Sequence, residues 1–211
     1  MDKGGELSRE WLAELRETAK VGQAERVGVL VDKALAAFGD GDFARAGSLA
    51  GEAKGFAPRS GRVRELLGLA LYHTGRWGEA LRELLTFRRL TNSLEQNHLI
   101  ADCYRATGRP EKALEACAEV AETQVGPELW AEVVIVAAST LADGGEYERA
   151  LAYLARTEVE PAQVEAYHLR LWYVRAGVLE RMGRAEEAQT VWRRIAAEDP
   201  GFFDVGEKLR V

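Results

Sequence analysis

Four side chains, Glu95, His98, Asp102 and Arg105, fall three or four residues apart and would share one stripe of a helix. Carboxylate, imidazole and guanidinium groups in a row could pass a proton, hold a cation or grip a charged partner. Proton transfer would need them to converge on a pocket near His98. A metal would need other histidines to join them. The chain has two more, His73 and His168. His73 could approach His98 from a neighbouring helix, but His168 lies too far along the chain for one site. Cys103 and Cys117 lack the spacing of a metal or redox pair and read as small buried hydrophobes. There is no glycine-rich phosphate loop, Ser-His-Asp set or HExxH motif. Glu14 with Glu17, and Glu186 with Glu187, read as ordinary solvated helix charges. The chain is therefore expected to be non-enzymatic, without cofactor or metal. Its net charge of −6, from 28 basic and 34 acidic residues, argues against nucleic acid as a partner. Arg76, Arg82, Arg88 and Arg89, and Arg193 with Arg194, read as a solvated outer face.

The elements that must position these groups are announced by a repeated phrase. Gly41-Asp-Phe-Ala-Arg-Ala46 returns at Gly75–Ala80, Gly108–Ala113, Gly145–Ala150 and Gly183–Ala188. The closing alanines are 34, 33, 37 and 38 residues apart, the period of a helical solenoid. Glycine ends one helix in a left-handed cap, and the following residues start the next. Pro110 sits at a first-turn position that tolerates it. The small residues Ala34, Gly68, Ala101, Ala138 and Ala176 stand opposite the phrase alanines, as a close helix crossing requires. Ala37, Leu71, Tyr104, Leu141 and Leu179 continue the first-helix face, and Ala50, Leu84, Cys117, Leu154 and Trp192 the second. Pro58, Pro127, Pro161 and Pro200 punctuate the units. Such hairpins bury their apolar faces only by stacking on neighbours.

This pattern resembles the tetratricopeptide repeat (TPR). Leu67-Gly68, Leu71, Gly75-Arg76-Trp77, Ala80, Leu84 and Phe87 match it, as do Trp172, Ala176, Leu179, Gly183, Ala188, Trp192 and Pro200. The tryptophan that often opens the first helix is present only as Trp172, with Leu30, Arg64, Asn97 and Val134 in the other units. The block Gln96–Cys103 is also similar to small TPR proteins of unassigned role from high-GC Gram-positive bacteria. The resemblance implies an all-α, right-handed superhelical solenoid of about five helix hairpins. The expected organisation is a capping helix over 1–26 and units near 27–60, 61–93, 94–130, 131–168 and 169–200. A second capping helix is expected over 201–211. Twelve helices result, and the two longer spacings imply extended helices or loops in the fourth and fifth units. Ser8 reads as the first N-cap, Leu7 with Leu12 as a hydrophobic staple, and Trp11, Leu12 and Leu15 as one apolar stripe ending near Gly22.

In the TPR family the first helix of each pair lines a concave groove. Carried onto this chain, that groove would present Arg62, Glu65, Leu69, Tyr72 and His73, then Glu95, His98, Asp102 and Arg105, then Arg170 and Tyr173. Gly28, Val31, Leu35 and Phe38 would be covered by the N-terminal helix. Val31 and Leu35 replace the Lys and Asn that some relatives use to clamp a carboxyl terminus, so that mode is not expected. The resemblance implies a scaffold for another protein or peptide. Two other readings stay open: homo-oligomerisation through a terminal hairpin or Trp11, Trp172 and Trp192, and sensing of a small ligand or signalling peptide. No apolar run spans a bilayer, the longest being Val133–Ala138, and the N-terminus lacks a signal peptide, so a cytoplasmic location is expected.

Overall fold

A computed structural model describes residues 8–120, 125–157 and 161–210. Among these residues it contains twelve α-helices and no strand. The chain divides into two compact units, Met1–Thr107 and Gly108–Val211.

The first unit holds α1 (Arg9–Thr18), α2 (Ala24–Gly39), α3 (Phe43–Phe56), α4 (Gly61–His73), α5 (Trp77–Thr91) and α6 (Asn97–Ala106). Each of α2 to α5 packs on the next helix, and α2 also touches α4. The second unit holds α7 (Pro110–Ala118), α8 (Pro127–Asp143), α9 (Tyr147–Leu154), α10 (Ala166–Arg181), α11 (Ala185–Glu198) and α12 (Val205–Lys208). There α8 packs on α7, α9 and α10, while α10 packs on α9 and α11.

The five phrase glycines all adopt φ between +72° and +79°, a conformation that costs an L side chain strain. At Gly75, for example, the Gly75 N–H donates to the Tyr72 carbonyl and the Arg76 N–H to the Leu71 carbonyl. That paired pattern closes a Schellman motif, and it recurs at Gly41, Gly145 and Gly183. All five phrase alanines are buried. Opposite them, a methyl group placed on Gly68 would lie 2.7 Å from Leu84 Cδ2, which shows how closely α4 and α5 cross. Pro110 stands in the first turn of α7, as its missing N–H allows.

Helix bounds depart from the sequence reading where local capping decides them. Ser8 caps α1 by accepting from the Trp11 N–H, but α1 stops at Thr18 rather than near Gly22. The Ala19 N–H still closes its last turn on the Leu15 carbonyl, after which the chain turns extended. Helix α2 starts at Ala24, inside the segment assigned to the cap. Pro127 does not lie between units; it begins α8. Helices α8 and α10 are 17 and 16 residues long, against 13 and 10 for α4 and α6, and so supply part of the wider spacings. Leu7, the expected staple partner, lies outside the described residues. Of the apolar stripe on α1, Leu15 is buried, Trp11 half-buried and Leu12 41% exposed. At the other end only four residues are helical, with Phe202–Asp204 in a turn before them.

Charges hold the first unit where periodicity shows only an outer face. Glu83 on α5 is buried, with Lys54 Nζ of α3 at 2.9 Å and Arg64 Nη1 of α4 at 2.5 Å. Arg64 also donates to the Pro58 carbonyl through Nε and Nη2. One carboxylate thereby ties three helices, and removing it would leave two cations uncompensated. Among the described residues, no helix is long and apolar enough to cross a membrane.

Candidate functional site

Helices α4 and α6 bring Tyr72, Asp102 and Arg105 together. The Tyr72 hydroxyl donates to Asp102 Oδ2 at 2.6 Å, and Arg105 Nε donates to Asp102 Oδ1 at 2.8 Å. The second contact is the i,i+3 pair expected from the sequence. The first spans 30 residues and joins neighbouring repeats. It forms because both side chains leave first helices at positions the repeat holds in register. Asp102 keeps 14% of its side chain exposed and Arg105 33%. Burial pushes the Tyr72 hydroxyl well above the ordinary phenol range, and its bond to Asp102 pushes the same way. Burial first, then the Asp102 charge, lifts the neighbouring Cys103 thiol to about 12. Cys103 is therefore a protonated core residue at neutral pH, as is expected of a packed thiol.

The remaining first-unit residues take different positions. Leu69 and Glu65 are half-buried on α4, and Glu65 Oε1 accepts from Gln96 Nε2 at 2.8 Å. Desolvation raises the Glu65 carboxyl above its ordinary 4.5, against the pull of that hydrogen bond. His98 is half-buried on α6. Glu95 is not on α6; it lies in the preceding turn, where its N–H donates to Ser93 Oγ. His73 is exposed and stacks on Phe43 at 4.2 Å, in a row of rings that includes Phe38, Tyr72 and Trp77. The aromatic third residue of the repeated phrase (Phe43, Trp77) supplies two of its five rings, beside Phe38, Tyr72 and His73 from first helices. Arg62 is drawn under α1: its Nη2 lies 2.7 Å from Glu10 Oε2, and its Nε 3.2 Å from Glu14 Oε2. Glu14 also accepts from Ser60 Oγ and the Arg62 N–H at the start of α4. The N-terminal helix thus covers Arg62 as well as part of α2.

Arg170 and Tyr173 belong to the second unit and have internal partners there. Arg170 Nη2 lies 2.5 Å from Glu132 Oε1, an ion pair whose angle is not that of a hydrogen bond. Burial raises the Glu132 carboxyl above 4.5, with Arg170 opposing. The Tyr173 hydroxyl donates to Asp204 Oδ1 at 2.7 Å. Burial and that bond push the phenol up to about 12. His168 is buried, its Nδ1 accepting from the Glu165 N–H to cap α10. Among the described residues no three His, Cys, Asp or Glu side chains gather as metal ligands. Of the basic clusters, Arg76 pairs with Glu79 on the exposed surface, while Arg194 lies 3.8 Å from the Trp172 ring centroid.

Chemically, Asp102 has one oxygen engaged by a phenol and the other by a guanidinium. This set holds two side chains in place across two helices and leaves a guanidinium and an aromatic ring partly open to solvent.

Neither a family model nor a curated protein matches the sequence, so the narrower resemblance to proteins of high-GC Gram-positive bacteria gains no support. Solved structures do match. The chain is similar to the thermophilic TPR protein TTC0263 of Thermus thermophilus, with a TM-score of 0.68 and 18% identity over 87% of this chain and 97% of that one. It is similar to the apo form of the quorum sensor NprR from B. thuringiensis, with a TM-score of 0.72 and 16% identity over 94% of this chain. It spans 61% of that NprR chain. It is also similar to PilF of Pseudomonas aeruginosa, with a TM-score of 0.61 and 16% identity over 94% of this chain and 96% of that one.

Proposed function

We propose, with the all-α helical-repeat fold as premise, that this chain is a non-enzymatic scaffold whose α4–α6 face binds an extended or helical segment of another protein. The observation that carries the reading is the Tyr72–Asp102–Arg105 set. Tyrosine and arginine are frequent interface anchors, and here both are fixed before any partner arrives. A partner meeting side chains already in place loses less entropy on binding. NprR, one of the structural neighbours, has also been solved in complex with its cognate peptide NprX. Glu65, Leu69, His73 and His98 flank the set on the same two helices, and Glu95 flanks it from the turn before α6. Selection from a random peptide library on the full chain tests the reading. Enriched peptides should lose at least about tenfold in affinity on Tyr72→Ala with Arg105→Ala, a change of ~1.4 kcal/mol. Equal affinity for both proteins at unchanged helical content moves the site elsewhere.

A second reading rests on a different place. A cleft of about 820 Å³ lies between α1 and α2, flanked by Arg9, Arg16, Glu25 and Asp32, with Gly28 in its wall. Its size suits a small organic ligand. A thermal-shift screen against metabolites, repeated on Gly28→Leu, distinguishes this reading, since a ligand in the cleft loses its shift in the variant.

A further inference from the structure

The C-terminal segment sits on α10 and α11 as a ligand would. The rings of Phe202 and Phe203 lie 6.1 and 5.1 Å from that of Tyr173, which is itself edge-on to Trp192 at 5.1 Å. Asp204 accepts from the Tyr173 hydroxyl. Lys208 Nζ lies 2.9 Å from Glu180 Oε2, while Glu180 Oε1 accepts from Trp192 Nε1. Val205 enters the cluster of Trp172, Leu179, Trp192 and Ile195 with no exposed surface.

This seat is specific, yet two features of the segment are not those of a purely structural cap. Its helix has four residues, too few to form alone. Phe203 has φ 45°, a left-handed conformation unfavourable for a side chain with Cβ. It also leaves 70% of its surface in water. A strained backbone that holds a large apolar ring in solvent does little for a core. Contacts of this kind suit a segment that another can displace.

We propose that the Tyr173–Glu180–Trp192 face is a peptide-docking site held closed by the chain's own C-terminal segment. Its partner is a short helical segment with two adjacent aromatic residues, an acid directly after them and a cation four residues beyond the acid. The acid takes the Tyr173 hydroxyl, and the cation meets Glu180. The aromatic pair covers Tyr173. Four-residue spacing puts acid and cation on one side of a single turn. This site shares no residue with the α4–α6 face and does not rest on that reading.

The probe is a fluorescein-labelled peptide with the sequence of Pro200–Arg210, titrated into the full chain and followed by anisotropy. Tethering gives the resident segment a local concentration in the ~mM range, so the unaltered chain should bind the probe weakly. Asp204→Asn with Lys208→Ala weakens the resident segment without touching the seat, and should tighten probe binding at least about tenfold. Adding Tyr173→Phe should remove that gain. Absence of saturable binding to the folded variant overturns the proposal, as does binding indifferent to Tyr173→Phe. So does a dimer in light scattering, which would put a second copy's segment in the seat. If the double variant fails to fold, amide exchange of the unaltered chain decides. Val205, Lys208 and Leu209 should exchange at least about tenfold faster than the middle of α10, through local opening. Equal protection makes the segment a fixed part of the core and ends the proposal.

Discussion

Gly68→Ala puts the close crossing of α4 and α5 to a quantitative test. The added methyl would lie 2.7 Å from Leu84 Cδ2, 2.8 Å from Leu84 Cγ and 3.4 Å from the Leu84 backbone nitrogen. The first two contacts ease only if the fully buried Leu84 side chain turns. The third, with the backbone of α5, is ordinary van der Waals contact, so the strain falls on the Leu84 side chain and its packed neighbours. Overpacking of this kind costs ~1–3 kcal/mol, while the change from glycine to alanine returns ~1 kcal/mol of helix propensity. The expected net loss is ~0–2 kcal/mol. Gly51, inside α3, is the control, because an added methyl there meets nothing within 4 Å. Gly51→Ala should gain ~0.5–1 kcal/mol from propensity alone. Urea denaturation followed by far-UV circular dichroism should then separate the two variants by ~1–3 kcal/mol at similar slope. Adding Leu84→Ala to Gly68→Ala should cost less than the two single losses together, because the clash and its cause vanish at once. Equal midpoints for Gly68→Ala and Gly51→Ala would refute the crossing argument.

Three further outcomes are expected. Because burial raises Glu65 above 4.5, the folded chain binds that proton more tightly than the unfolded chain does, and stability falls as pH rises through the raised value. Glu65→Gln keeps an acceptor for Gln96, so it should stabilise the chain at pH 7 with a gain that disappears by about pH 4. A gain equal at both pH values in urea titrations contradicts this. Tyr72→Phe removes a hydrogen bond to a charged acceptor and should cost ~1–2 kcal/mol, allowing for partial exposure, with no loss measured if water replaces the phenol freely. Ala113→Leu forces volume into a fully buried position of α7 and should cost at least ~1–3 kcal/mol, so a cooperative melt at the parental temperature counts against it.

The fold was legible because local sterics decide its key positions. Gly41 and Gly183 must turn left-handed, Ala46 and Ala188 must be small, and Pro110 must begin a helix; each can be read one residue at a time. The site was legible only in part. Asp102 with Arg105 is a spacing within one helix, but Tyr72 with Asp102 depends on how two repeats register. Periodicity assigns Arg62 and Tyr173 to a shared face, yet Glu10 and Glu14 take the first and Asp204 takes the second. Those partners come from the flanks, which lack the repeat, so no repeat frame predicts where they fold back. Glu83 escaped notice for a related reason: its two cations come from α3 and α4, and nothing in the α5 sequence marks it as buried.

Amide hydrogen exchange of the full chain, with and without a library-selected peptide, tests the central claim most directly. Binding across the α4–α6 face should slow exchange within Gly61–His73 and Asn97–Ala106 and leave α3 and α5 unchanged. Protection that falls on α3 and α5, with α4 and α6 untouched, contradicts the account.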